Sequence, residues 1–290
     1  MTHVPATSRV ARLGAVLAAV VRIRSCLAGA VATAIGGYLA TGTVVAAPVR
    51  SVLAAVTVAL LIAFANVVND IVDIEVDAAG KPGRPIPAGR LTRSAAELLA
   101  AGLATAAVAV AARLGWSVLA AAAVLLAASY AYSVWLKGTV LLGNVVVAAC
   151  AASPLLFGAA AVGRPNPAAC VATALAFEFM LSYEVLKTMA DRDGDAAVGL
   201  RTLATTTRAR TGARVFGGLV VALSGTALAA TAISSRPAVY LTVAVPILVG
   251  PVLYVLGHMR TALQDGRLWG LMRLMRRAWL LGTAVLWLVR

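Results

Sequence analysis

The chain has 290 residues, of which 61% are hydrophobic and only 12% charged. Soluble domains carry about 25% charged residues, so the composition excludes a soluble globular protein and predicts an all-α, polytopic membrane protein. The formal charge of +14 would suit nucleic acid, but its placement along the chain, set out below, argues for membrane orientation and phosphorylated ligands and against DNA.

At the amino end Arg9 and Arg12 run into Arg22 and Arg24. This interrupted pattern lacks the apolar stretch and cleavage site of a signal peptide and reads as a cytoplasmic amphipathic lead-in. Each membrane crossing needs about 20 apolar residues. Nine such segments can be laid out at 24–43, 48–68, 94–112, 115–136, 139–161, 167–187, 212–233, 237–258 and 271–289, which predicts nine transmembrane helices around a central cavity in a single domain, 1–290. Cys26, Cys150 and Cys170 sit in apolar runs without CxxC spacing and read as small buried hydrophobes. His3 and His258 are isolated, which argues against a zinc site.

Basic residues test this layout. Arg50, Arg113, Arg164, Arg236 and Arg290 fall on one face, one per connection or terminus. The other twenty of the 25 basic residues fall on the opposite face or at its helix ends. The positive-inside rule makes the richer face cytoplasmic, together with the N-terminus, in a bacterial-type cell membrane. The surplus charge then serves orientation, anionic headgroups and a phosphorylated substrate.

Acidic residues are distributed even less evenly. The chain has 11, and eight lie in two segments, within 66–93 and 184–211. The first reads Asn66-Val-Val-Asn69-Asp70-Ile-Val-Asp73-Ile-Glu75-Val-Asp77, followed by Lys81 and Arg84; the second reads Glu184-Val-Leu-Lys187-Thr-Met-Ala-Asp191-Arg-Asp193-Gly-Asp195, followed by Arg201. They follow the second and sixth spans, and the even number of crossings between them returns both to the cytoplasmic face. Asn66, Asp70, Asp73 and Asp77 form one helical stripe, with Asn69 beside it and Glu75 pointing away. Glu184, Lys187, Thr188, Asp191 and Asp195 keep the same rhythm, while Arg192 and Asp193 read as solvated. Two such oxygen-rich stripes facing each other would repel unless a hard divalent cation lay between them. Oxygen-only ligands favour Mg²⁺, which keeps positions open for water and substrate phosphates. Lys81, Arg84, Lys187, Arg201 and Lys137 are placed to clamp phosphate oxygens. Carboxylates, magnesium and basic clamps above an apolar bundle describe a site for a lipid diphosphate.

These residues closely resemble the UbiA superfamily of intramembrane prenyltransferases. Asn69-Asp70-Ile-Val-Asp73-Ile-Glu-Val-Asp77 with Arg84-Pro-Ile-Pro-Ala-Gly89 matches the family's first motif. Asp191-Arg-Asp-Gly-Asp195 with Gly199 and Thr202 matches its second. Tyr132-Ser-Val-Trp-Leu-Lys137 and Leu142-Gly143-Asn144 look like its Y-S-x-x-L-K and G-N signatures. The resemblance implies that Asn69, Asp70, Asp73, Asp191 and Asp195 hold Mg²⁺ and, through it, a prenyl diphosphate. Asn66 and Asp77 would support the first site, and Lys137 and Arg84 would touch phosphate; Tyr132, Asn144 and Glu184 join the substrate site. The Glu184–Lys187 stretch is closer to members that prenylate glycerol phosphate lipids, although those often carry an acid where this chain has Thr188. Tyr130, Tyr132, Phe157, Phe177, Phe179 and Tyr183 either line an allylic tail or pack helices. Trp116 and Trp135 read as interface anchors.

The function expected is Mg²⁺-dependent ionisation of an allylic prenyl diphosphate and transfer to a lipid, aromatic or hydroxyl acceptor. A terpene cyclase that uses the same metal site without an acceptor is the alternative. A transporter is a remote third, because intramembrane carboxylates often mark ion pathways whereas these acids sit at helix ends.

Overall fold

A computed structural model describes residues 6–43 and 46–290; the side chains of residues 6–10 lie outside it, and so do His3 and the side chain of Arg9. The described chain is helical. Helix α1 (Ala6–Val21) is followed by α2 (Ile23–Thr41), α3 (Pro48–Val72), the short α4 (Ile74–Gly80), α5 (Arg93–Ala112) and α6 (Trp116–Ala131), which continues as a π-helical turn, Tyr132–Leu136. Next come α7 (Leu142–Val162), α8 (Pro167–Ala190), the short α9 (Arg192–Ala197) and α10 (Leu203–Thr206), and α11 (Ala209–Ala229). The one-turn α12 (Pro237–Val239), a π-turn at Tyr240–Ala244, α13 (Val245–Gln264) and α14 (Leu268–Val285) complete the order.

Among the described residues, eight helical segments are long and apolar enough to cross a membrane: Ile23–Thr41, Pro48–Val72, Arg93–Ala112, Trp116–Leu136, Leu142–Val162, Pro167–Ala190, Ala209–Ala232 and Pro237–Gln264. They correspond in order to the first eight segments laid out from sequence. The expected ninth does form a helix, α14, but Arg273, Arg276 and Arg277 near its middle break the apolar run, so the count of nine is not reached on length and apolarity alone. The amino-terminal lead-in is helical as α1, with a shorter apolar stretch at Ala11–Val21.

The chain divides into two compact units. The first holds residues up to Ala30 together with Leu53–Val134. Its core is formed by Val20, Val67, Val68, Ile86, Ala96 and Ala100, so α1, the end of α3, the loop after α4 and the start of α5 share one apolar cluster. Thr92 starts α5 by accepting a hydrogen bond from the Ala95 amide at 3.2 Å, which satisfies one of the orphan donors of a helix start.

The second unit holds Val31–Val52 and Trp135–Arg290. Phe179, Leu186, Phe216, Leu223, Leu248 and Met275 are fully buried in its core, and Phe179 stacks on Trp279 with ring centroids 5.6 Å apart. Phe179 is therefore a packing residue. In this unit α2 and α7 approach closely because both carry glycine at the crossing. A Cβ on Gly36 would stand 1.8 Å from the Leu155 carbonyl oxygen, and one on Gly158 would stand 1.9 Å from that of Thr33. Small residues at such crossings supply the van der Waals packing that replaces hydrophobic association in lipid. Asn166 starts α8, accepting from the Ala169 amide at 2.9 Å while donating to the Leu39 carbonyl at 2.8 Å. Trp116 and Trp135 are exposed, at 81% and 67%, as interface anchors would be.

Candidate active site

The two acidic segments are built alike. In the first, α3 runs to Val72, Asp73 leaves helical geometry at φ −89° and ψ 10°, and α4 resumes at Ile74. In the second, α8 runs to Ala190, Asp191 interrupts at φ −89° and ψ 2°, and α9 resumes at Arg192. Each interrupting aspartate still donates its amide four residues back, Asp73 to Asn69 at 3.0 Å and Asp191 to Lys187 at 2.9 Å. The chain thus bends at an aspartate without abandoning its helical register. A positive-φ glycine closes the loop beyond each: Gly89 at 68° and Gly199 at 72°, a region in which a Cβ is penalised.

The first stripe faces inward as its spacing predicts. Asp70, Asp73 and Asp77 are buried, at 4%, 9% and 3% exposure, while Glu75 is exposed. Buried carboxylates need partners, and these have them. Arg84 donates through Nη1 to Asp70 Oδ1 at 3.0 Å and also to Asp77 Oδ2. Lys81 Nζ lies 3.8 Å from Asp77 Oδ1. Asn69 Nδ2 donates to Asp73 Oδ2 at 3.0 Å. Arg84 and Lys81, expected on phosphate, are thus held here by carboxylates of their own motif.

A further partner was not expected. Arg22, between α1 and α2, is the single non-glycine residue with positive φ among the described residues, at 53°. That bend sends its guanidinium to the stripe: Nη2 donates to Asp70 Oδ1 at 2.6 Å and Nη1 to Asn66 Oδ1 at 3.1 Å. Asn66 in turn donates through Nδ2 to the Val21 carbonyl at 3.0 Å. A charged residue held in a strained backbone conformation is a recurring mark of functional sites.

In the second unit Glu184 is buried at 6% and pairs with Lys187 at 3.4 Å. Asn144, of the Leu-Gly-Asn signature, donates to Thr188 Oγ1 at 2.8 Å, and Thr188 donates to the Glu184 carbonyl at 2.9 Å. Gly143 is required by the turn that enters α7, since a Cβ there would stand 2.4 Å from the Leu136 carbonyl oxygen. Thr188 therefore ties α7 to α8 beside the motif. Asp191 and Asp195 are half-buried, whereas Arg192, Asp193 and Arg201 are exposed. Burial pushes the Asp195 carboxyl above the ordinary aspartate range, and the like charge of Asp191 adds to the rise. A hydrogen bond from Thr202 and the charges of Lys187 and Lys137 oppose it. Lys137 is thereby placed within electrostatic reach of the second motif. Tyr132 opens the π-helical turn and is half-buried.

Among the described residues no three His, Cys, Asp or Glu side chains converge as a ready-made metal cage. The donor set nevertheless fits a hard cation of one kind. Mg²⁺ is usually held by one or two carboxylates, completing its shell with phosphate and water, and Asp191 and Asp195 are paired like charges that a cation would relieve. In the first motif a cation would have to share Asp70 with Arg22 and Arg84.

The model of the UbiA prenyltransferase family matches residues 30–280. The digeranylgeranylglyceryl phosphate synthase of Methanopyrus kandleri is 37% identical over 179 residues, covering 62% of this chain and 65% of that protein; the match thus spans just under two thirds of that relative. The synthase of the same name from Natronomonas pharaonis is 34% identical over 227 residues, covering 75% of this chain and 78% of its own. Among solved structures, a UbiA homologue from Archaeoglobus fulgidus bound to GPP and Mg²⁺ superposes with a TM-score of 0.71 at 17% identity, covering 93% of this chain and 99% of that one, a likeness of fold.

Proposed function

The chain belongs to the UbiA prenyltransferase family, and from that premise we propose that it is a Mg²⁺-dependent integral membrane enzyme that ionises a prenyl diphosphate and transfers the prenyl group to the hydroxyl of a lipid acceptor. The observation that carries this reading is the doubled construction of helix, interrupting aspartate, short helix and glycine turn, with buried or half-buried carboxylates in both copies. The A. fulgidus homologue holds GPP and Mg²⁺, which supports both the substrate class and the cation. The relatives' name, digeranylgeranylglyceryl phosphate synthase, supports a glyceryl phosphate lipid as the acceptor.

On this reading Asn69, Asp70, Asp73, Asp191 and Asp195 serve one diphosphate through the cation, and residues 1–290 act as one membrane domain with the motifs on the cytoplasmic face. The cation supplies Lewis-acid stabilisation of the leaving diphosphate. Lys137 and Lys187 lie near Asp195 and offer charge to phosphate oxygens. Arg84, now shared by Asp70 and Asp77, is poised to exchange a carboxylate for phosphate. The allylic C1–O bond breaks with its electron pair going to diphosphate. An acceptor hydroxyl oxygen then forms the new C–O bond and releases its proton. Helix α14 completes a ninth crossing, its arginines snorkelling to the motif face.

The test is product analysis with purified protein, Mg²⁺ and geranylgeranyl diphosphate, with and without a hydroxyl-bearing glyceryl phosphate lipid. An ether product formed only with the lipid is expected. A cyclic hydrocarbon or alcohol formed without it would replace transfer with cyclisation, and ion flux in liposomes without diphosphate turnover would point to transport.

A further inference from the structure

A groove of roughly 640 Å³ lies between the first turns of α11 and the last turns of α13. Its lining follows helical spacing on each wall. Arg210 and Arg214 lie four residues apart on α11, and Leu256, Met259, Arg260 and Leu263 recur at three- and four-residue intervals on α13. The two walls therefore present matching stripes, each carrying arginine beside apolar side chains. Met259 is buried in the core at 1% exposure and forms a floor, while the three arginines are exposed at the lip.

Among the described residues none of the three arginines makes an ion pair with a carboxylate. The acid nearest along the chain, Asp265, is 3.9 Å from Arg267. A smaller adjoining cavity shares Ala209 and Leu263 with the groove and adds Arg192 and Arg208. Five guanidinium groups thus border the groove and its neighbour at the ends of membrane-length helices, on the face that carries the basic surplus.

We propose that this groove binds an anionic membrane phospholipid, its phosphate held by Arg210, Arg214 and Arg260 and its first methylenes laid over Leu256, Met259 and Leu263. Charge complementarity selects the headgroup: planar guanidinium forks suit phosphate oxygens bidentately, and basic pockets between membrane helices at that surface recognise acidic headgroups. The apolar floor selects a lipid over free phosphate, which would gain nothing from covering it. A volume of this order is typical of small-molecule pockets, enough for a headgroup and the start of its chains. A prenyl diphosphate has its own site on the reading above, and this groove offers no carboxylates for a bridging cation.

The experiment is native mass spectrometry of the detergent-purified full chain, exchanged against phosphatidylglycerol or phosphatidylcholine and repeated with inorganic phosphate as competitor. Retention of phosphatidylglycerol over phosphatidylcholine by roughly tenfold or more is expected, unaffected by millimolar phosphate. In Arg210→Gln/Arg214→Gln/Arg260→Gln that preference should vanish, and in Arg260→Gln alone it should weaken. Equal retention of the two lipids by the unmodified chain, a measurement that needs no variant, would overturn the proposal. Undiminished preference in the triple variant would also overturn it, and so would displacement by phosphate alone or by geranylgeranyl diphosphate.

Discussion

Replacing Arg22 tests whether the first motif is held together from outside its own helix. Arg22→Ala removes a charge-assisted bond to Asp70 at 2.6 Å and a second bond to Asn66 at 3.1 Å. The guanidinium is ionised in both bonds, and charge-assisted bonds contribute about 1.5–3 kcal/mol each. The Arg22 side chain is 35% exposed while that of Asp70 is 5% exposed, so solvent screening discounts the sum to about 2–3 kcal/mol. Alanine keeps the backbone penalty of φ 53°, which glycine removes, so Arg22→Gly should recover about 1 kcal/mol relative to alanine. Arg22→Lys retains charge but loses the fork and should fall between alanine and the native residue. Equilibrium unfolding in mixed SDS–detergent micelles, followed by tryptophan fluorescence, measures all three. A loss below about 0.5 kcal/mol for Arg22→Ala, or no advantage of glycine over alanine, would refute the reasoning.

The raised Asp195 carboxyl gives a pH prediction. Because the folded value lies above the unfolded one, cation-free protein should lose stability as pH rises through that value and regain it on acidification, and Mg²⁺ should flatten the profile. Thr202→Val removes the hydrogen bond that opposes the shift, so the acid limb of Mn²⁺ binding, read by electron paramagnetic resonance, should move to higher pH; movement to lower pH would contradict the assignment. Gly158→Ala drives a Cβ against the Thr33 carbonyl and should cost about 2 kcal/mol or more. Gly218→Ala, with nothing within 4 Å, should be neutral or mildly stabilising in the same unfolding assay.

The acidic stripes were legible because period alone decides which side chains share a helical face. Asp70, Asp73 and Asp77 are buried and Glu75 is not; Arg192 and Asp193 are exposed. The breaks at Asp73 and Asp191 were not legible, since neither position carries proline or glycine. Arg22 read as part of the basic lead-in, and its reach to the motif was missed for a different reason. It lies 48 residues from Asp70, and its reach depends on a left-handed backbone that no arginine advertises; the one available signal was a charge stranded in the apolar run after Val21. Thr188 read as a departure from the acidic residue of related enzymes, whereas its hydroxyl is a structural tie between Asn144 and the Glu184 carbonyl. The ninth crossing was less legible than the others because Arg273, Arg276 and Arg277 interrupt the apolar run of α14, where amphipathic pattern and membrane span compete.

The central claim is that both aspartate motifs serve a single diphosphate. Titration calorimetry of geranylgeranyl diphosphate into the purified chain with Mg²⁺ tests it without requiring turnover. One diphosphate bound per chain is predicted, with Asp70→Asn and Asp191→Asn each abolishing it while unfolding stability is retained. Undiminished binding in either variant, or two independent sites of which each variant removes one, would contradict the account.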